Sequence, residues 1–350
     1  ADDEKARLLD ALRTRLEDWF DGRAPRFFYY DEGWRSLMGV PDSYGSATQI
    51  NDHHFHYGYF IMAAATVARF DRAWADKWGP FVELLIRDAA NPDRADTRFP
   101  FLRYMDPYAG HSWANGPAQF QEGNNEEASS EDLNFSAAVL LWGALMGRDD
   151  LRDLGVFLYA NQIEAVEQYW FDVDRAVFPK GFEHPAVAMV WGAGGKYDTW
   201  FDQDPTVIHG INFLPFTGAS LYLGRRPDYV KRNFDVLLER SHGDITTWRD
   251  YIVMFLATGD SERAREHFDR DRHFAPEFGN SLAYTLHWLE AWEDLGTLDT
   301  SVTADVVTHA VFEKGKRRRH IAFNPSPQPR VVHFSDGATL RVKAHELALD

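Results

Sequence analysis

The 350-residue sequence contains no cysteine, so disulfide staples, thiolate nucleophiles and thiolate metal sites are all excluded. Cationic charge is scarce as well: 37 Lys and Arg stand against 54 Asp and Glu, a formal charge of −17. Such a chain repels nucleic acid, anionic membrane surfaces and polyanionic substrates. Its one basic run, Lys314 to Arg319, is expected to be a solvated loop or helix end without a function of its own. No stretch approaches the ~20 apolar residues of a membrane span, and the opening ADDEKARLLD lacks the charged-then-apolar layout of a signal peptide. Neither a Pro/Gly/Ser-rich linker nor a fixed-period repeat divides the chain, which favours one large architecture over two small domains.

What is present is a 45% hydrophobic composition, enough for a sizeable core, and an aromatic content of 15% that includes 12 Trp. Flat sugar faces pack well on such rings, although burial in the core is the plainer fate of any single one. Leu8, Leu9, Leu12, Leu16, Trp19 and Phe20 recur at helical spacing. Similar patterns predict helices over 59–71, 73–90, 131–146, 151–170, 217–223, 227–240, 246–257, 260–269 and 279–294. Only the tail reads as strands, over 308–312, 319–324, 331–334 and 339–342. The expectation is therefore a mainly α fold. Paired helices close into a toroid over residues 1–295, and a β-rich extension over 296–350 packs on the same domain as a small C-terminal sheet. The long loop segments 91–126 and 174–216 are of the kind that carries binding and catalysis.

Two clusters hold the chemistry. The first, Asn51-Asp52-His53-His54-Phe55-His56-Tyr57-Gly58-Tyr59, opens a helix. Asp52 there is either an N-cap or a reactive carboxylate, with His56 one turn on to orient or protonate it. The His-x-His pair leaves a metal site as an alternative, although the acidic partners downstream make sense without one. The second, Asn124-Asn125-Glu126-Glu127-Ala128-Ser129-Ser130-Glu131-Asp132, puts Glu127 and Glu131 at i and i+4 on one helix face. That is either a solvated acidic helix start or the carboxylates that glycosidic hydrolysis requires, one protonated and one ionised. The loop from Phe99 to Gly116 and the segment from Met189 to Phe216 add aromatic and polar residues suited to a sugar cleft, among them Trp191, Trp200 and His209.

Taken in order, NDHHFHYGYF, AGHSWANG, NEEASSE, TWF with IHGINFLPFT, and the segment from LDTSVTADVV to HFSDG resemble glycoside hydrolase family 81, the endo-β-1,3-glucanases, over essentially the whole chain. The resemblance implies an (α/α)6 toroid, an inverting mechanism without a cofactor, and laminarin, curdlan or cell-wall β-1,3-glucan as substrate. It matches Asp52 to the general acid and Glu127 and Glu131 to two motif glutamates, one of them the general base. It also makes His56, Asp106, His111 and Trp113 cleft residues, beside which Tyr59, Trp191, Trp200 and His209 complete the substrate-binding candidates.

Two departures from the family are expected to matter. The family's N-terminal β-sandwich domain is expected to be absent. Its run Asn-Gln-Glu-Ser-Ser-Ser-Glu reads Asn125 to Glu131 with Glu126 and Ala128 substituted, a change expected to shift the base's pKa or subsite preference. The partner expected is a β-1,3-glucan chain met by a monomer, with no nucleic acid or membrane, and a polymer substrate suggests secretion. The rivals are a polysaccharide lyase on a helical toroid, against which the acidic charge argues, and a catalytically impaired glucan-binding protein.

Overall fold

The computed structural model describes residues 2–350. Its contacts divide the chain into two compact units, the first formed by residues 1–126, 131–165 and 191–193, the second by 127–130, 166–190 and 194–350.

In the first unit, α1 (Asp2–Phe20) leads into the antiparallel hairpin β1 (Phe27–Asp31) and β2 (Ser36–Val40). The short α2 (Ser46–Gln49), then α3 (His53–Ala68) and α4 (Arg72–Ala90), follow. The loop after α4 holds the two-residue strands β3 (Met105–Asp106), β4 (His111–Ser112) and β5 (Asn125–Glu126). Next come α5 (Ser129–Met146), which joins this unit at Glu131, and α6 (Asp149–Ala165). The β1–β2 hairpin is a correction, since only the tail was expected to form strands. Phe27, Phe28, Tyr29 and Tyr30 are four aromatics in a row, with no alternation to betray a half-buried strand.

Asp71 caps α4 by accepting a hydrogen bond from the Trp74 N–H (3.0 Å). Past their first turns α3 and α5 have almost no polar side chains. Ile61, Ala64, Ala65 and Val67 of α3 and Leu133, Ala138, Val139 and Trp142 of α5 are all buried. Small residues let these helices approach. A Cβ at Gly58 would stand 3.0 Å from the Phe135 Cα, which seats α3 directly on α5. A Cβ at Gly155 would stand 2.3 Å from the Leu140 nitrogen, so only glycine permits the crossing of α5 and α6.

In the second unit, residues 127–130 are followed by a π-helical segment (Val166–Trp170). The unit continues through β6 (Met189–Trp191, its last residue in the first unit), β7 (Gly194–Lys196), α7 (Pro205–Gly210) and a 3-10 helix (Gly218–Arg225). The helices α8 (Pro227–Arg240), α9 (Arg249–Ala257), α10 (Ser261–Asp269) and α11 (Leu282–Leu295) follow. The enclosed α9 packs against α8, α10 and α11, and Phe255 stacks on Phe213 at 3.9 Å. Asp260 and Ser281 cap α10 and α11. The tail forms β8 (Thr297–Leu298), β9 (His309–Lys314), β10 (Arg317–Phe323), β11 (Arg330–His333), β12 (Thr339–Val342) and β13 (Leu347–Leu349). Its strands order as β13-β10-β9-β8 beside a β11–β12 pair. Val311, Ala322, Val332, Phe334 and Val342 give the tail a core of its own, while Phe312 meets Trp292 of α11 at 5.3 Å.

The basic run is neither helix end nor plain loop. Lys314 closes β9, Gly315 turns at φ 63°, and Arg317–Arg319 open β10. Among the described residues no helix is long and apolar enough to cross a membrane.

Candidate active site

Asp52 stands at the N-cap position of α3 in the left-handed conformation (φ 60°). Its N–H donates to the Ala114 carbonyl (2.9 Å), and its own carbonyl accepts from the His56 N–H (2.9 Å). The backbone is thus gripped from both sides, which sustains a conformation that costs a non-glycine residue on the order of 1 kcal/mol or more. The carboxylate does not cap the helix. It accepts instead from Asn51 Nδ2 (2.7 Å), whose amide also donates to the Tyr44 carbonyl (2.8 Å). The capping alternative therefore does not describe what this side chain does.

The three histidines of the cluster have three different tasks. His53 is wholly buried, with Nδ1 2.8 Å from Asp88 Oδ2 and Nε2 2.9 Å from the Ser46 carbonyl. Through these two contacts the ring ties the head of α3 to α2 and α4. His54 is buried against Tyr104 (rings 4.5 Å apart), and burial holds its imidazole well below the ordinary range. His56 is half-buried and is held at about 4, chiefly by burial, then by the neighbouring His53. At neutral pH it is an uncharged hydrogen-bonding partner and not a proton donor.

At the head of α5, Tyr59 Oη donates to Glu131 Oε1 (2.7 Å), and Tyr59 itself is 42% exposed. Burial pushes the Glu131 carboxyl up to about 7, against the opposing effect of the Tyr59 hydroxyl. Behind it lies a cluster that the spacing of residues does not reveal. Ser112 Oγ lies within 3.0 Å of Glu126 Oε1, Asp132 Oδ2 and His54 Nε2. Burial, then repulsion from Asp132, drives Glu126 well above the usual carboxylate range. Burial raises Asp132 to about 7. The only sequence hint was the acid at Glu126.

The loop from Tyr104 to Trp113 is organised by Asp106, whose carboxylate accepts from Trp113 Nε1 (3.1 Å) and from the Tyr108 N–H (2.9 Å). Against the cost of burial, these bonds hold it below its ordinary value. Tyr108, which the sequence reading passed over, is fully exposed. His111 lies inside, its Nδ1 donating to the Ser112 carbonyl (2.7 Å) and its ring edge-on to Trp113 (4.5 Å). Trp191 is likewise interior, edge-on to Phe120 at 5.3 Å. Neither offers a face to solvent.

In the second unit, Glu127 is half-buried and its Oε1 accepts from the Trp200 N–H (3.1 Å). The turn that follows, with Ala128 at φ 46°, is anchored by Asn212, whose Oδ1 accepts from the Ser129 N–H (3.1 Å) and Oγ (2.8 Å). Trp200 and Phe201 are 55% and 60% exposed. His209, by contrast, is 1% exposed, with Nδ1 2.7 Å from Asn233 Oδ1 and Nε2 3.0 Å from Tyr197 Oη. Burial holds its imidazole at about 4, so it is a neutral core histidine and not a surface contact. Among the described residues no group of three or more His, Asp and Glu side chains is disposed to hold a metal ion.

Comparison with known proteins bears on this chemistry. The family model described as the glycosyl hydrolase family 81 C-terminal domain matches residues 1–288. Over 347 residues the chain is 47% identical to a glucan endo-1,3-beta-D-glucosidase of Thermobifida fusca, covering 97% of this chain and 46% of that protein. Over 351 residues it is 45% identical to one from Acetivibrio thermocellus, covering 99% and 45%. A solved glycoside hydrolase family 81 structure from Clostridium thermocellum superposes with a TM-score of 0.96 at 44% identity, over 99% of this chain and 49% of that one. The chain thus spans about half the length of the curated relatives it matches.

Proposed function

Because the chain belongs to glycoside hydrolase family 81, we propose that it hydrolyses internal β-1,3-glucosidic bonds of β-1,3-glucans such as laminarin, curdlan and cell-wall glucan. Asp52 acts as general acid on the leaving oxygen, and the general base that deprotonates water is drawn from Glu127 and Glu131. The observation that carries this reading is the Asp52 carboxylate, held at the head of a buried helix by a gripped backbone yet not engaged in capping it. Glu131 adds support, since a carboxyl held near 7 exchanges protons at neutral pH.

Water attacks the anomeric carbon as the C–O bond breaks, with inversion of configuration, and neither metal nor cofactor takes part. Tyr59, Trp113 and Trp200 are the proposed sugar contacts, with His56 and Asp106 beside them. The interior His111, Trp191 and His209 then act by supporting the loops that carry those contacts. In this reading the helices close into the (α/α)6 toroid that the family resemblance implies, and the enzyme is a secreted monomer.

The test is reducing-end release from laminarin, curdlan and a β-1,4-glucan, with the anomer of fresh product followed by NMR. Release from the β-1,3 polymers alone, with the α-anomer appearing first and activity lost in Asp52→Asn, is the expected result. Full activity in Asp52→Asn would sink the assignment. An ultraviolet-absorbing product would point to a lyase.

A further inference from the structure

Ser112 Oγ has three partners, Glu126 Oε1 (2.9 Å), Asp132 Oδ2 (2.9 Å) and His54 Nε2 (3.0 Å). A hydroxyl has one hydrogen to give and two lone pairs to receive with. Three hydrogen bonds on Oγ therefore require two of the partners to be donors. His54 supplies at most one through Nε2–H, so the other donor is a carboxylic acid. Were His54 Nε2 bare, both carboxyls would have to be acids. In every arrangement that satisfies the hydroxyl, at least one of Glu126 and Asp132 retains a proton.

The surroundings agree with that count. All four side chains are buried, Glu126 completely. Among the described residues, no lysine or arginine hydrogen-bonds or ion-pairs with Glu126 or Asp132. The groups acting on Glu126 are the acids Asp132, Asp52 and Glu131, and His54 Nε2 lies 3.8 Å from its second oxygen, with Tyr104 stacked on the His54 ring. Asp52 and Glu131 both add to the repulsion on Glu126. The neighbouring His53 is turned to Asp88. The cluster also joins the parts that matter. His54 is two residues from Asp52, Asp132 adjoins Glu131, Glu126 adjoins Glu127, and Ala114, two residues beyond Ser112, accepts from the Asp52 N–H and donates to the Asn125 carbonyl (2.7 Å).

We propose that Glu126 and Asp132 are positioning residues that share one proton through Ser112, hold the heads of α3 and α5 in register, and set the alkaline limit of the active form by losing that proton. The step is loss of one carboxylic O–H proton to solvent, with no other bond changed. It leaves two carboxylates competing for the single hydrogen of one buried hydroxyl, with Asp52 and Glu131 close by, and the cluster opens.

The part of this proposal that concerns activity rests on the glucanase reading above. The shared proton itself does not. The test is Glu126→Gln, whose amide keeps the shape and donates to Ser112 Oγ without a titrating proton, so that Ser112 donates to Asp132 at every pH. The alkaline limb of laminarin hydrolysis, each variant scaled to its own maximum, is expected to move up by about one pH unit or more. The decline of Tm between pH 7 and 9 is expected to flatten. Difference infrared spectra at neutral pH should show a protonated-carboxyl band lost on substitution. Should Glu126→Gln not fold, Asp132→Asn carries the same expectations with the two roles exchanged. An unmoved alkaline limb together with an unmoved Tm–pH curve overturns the proposal. A flattened Tm curve and a lost band in a protein inactive on every β-1,3-glucan would uphold the shared proton and refute the glucanase reading instead.

Discussion

The heads of α3 and α5 and the β9–β10 hairpin of the tail are both crowded with ionisable side chains, yet their chemistry runs in opposite directions. At the helix heads the carboxyls are buried among one another and lack cations, so Glu126, Glu131 and Asp132 are all driven upward. In the tail the carboxylates are solvated and paired. Arg318 reaches Asp299 (2.8 Å) and Asp336 (3.3 Å), Arg317 reaches Asp294 (3.0 Å), and His320 lies between Asp336 (2.9 Å) and Asp350 (2.7 Å). There the His320 imidazolium, then the Ala338 N–H, hold Asp336 below its ordinary value, and the Arg317 guanidinium does the same for Asp294. The same residue types thus serve either proton exchange or cross-linking, and burial without a counter-charge decides which.

The largest test of this contrast is on catalysis. Asp52→Asn and Glu131→Gln are each expected to lower glucan hydrolysis by about 10²–10⁴-fold with Tm preserved, whereas Arg318→Ala should leave the rate alone. A rate loss in the tail variant comparable to that in Asp52→Asn would erase the distinction.

Next in size is the pH dependence of stability. Asp132 has an ordinary value of 3.8 and sits at about 7 in the fold, so the native state binds the proton more tightly than the unfolded chain does. The corresponding stability is fully present below pH 4 and is lost as the pH climbs through about 7, a decline of about 4 kcal/mol from this group. Urea midpoints taken at intervals from pH 4 to 9 measure it, and the slope should persist in 1 M salt because the groups are buried.

His320 sharpens the comparison with a smaller effect of the same sign and different origin. Against the cost of burial, Asp336 and Asp350 hold its imidazole above the ordinary 6.5. Its contribution is present below that value and fades as the pH rises through the folded one. His320→Gln is expected to cost about 1 kcal/mol at pH 6 and less at pH 9, and salt should weaken it. Smallest of all, Arg318→Ala on this exposed network should change stability by about 0–1 kcal/mol in urea titrations.

Much of this was legible in the sequence. The 3.6-residue period located α1, α4, α8, α10 and α11 to within a few residues, because half-buried helices must repeat apolar residues on one face. The tail strands were readable for the matching reason at period two. Asp52 stood out among its neighbouring histidines, and Glu127 and Glu131 by their i, i+4 spacing at a helix start. The β1–β2 hairpin was hidden in an aromatic run, and α7 was hidden in six residues that hold no full apolar period.

Composition and local spacing alone determined the predominance of helix, the absence of thiol chemistry, the acidic surface and the stretches of chain that carry the reactive groups. Tertiary structure decided which of those groups titrate. Ser112 finds His54 across 58 residues, Asp132 across 20 and Glu126 across 14. It also turned His111, Trp191 and His209 inward while leaving Tyr108 and Trp200 in solvent. The reason is physical: a carboxyl's proton affinity and a ring's exposure depend on dielectric surroundings and partners assembled from distant segments, and no local pattern encodes them.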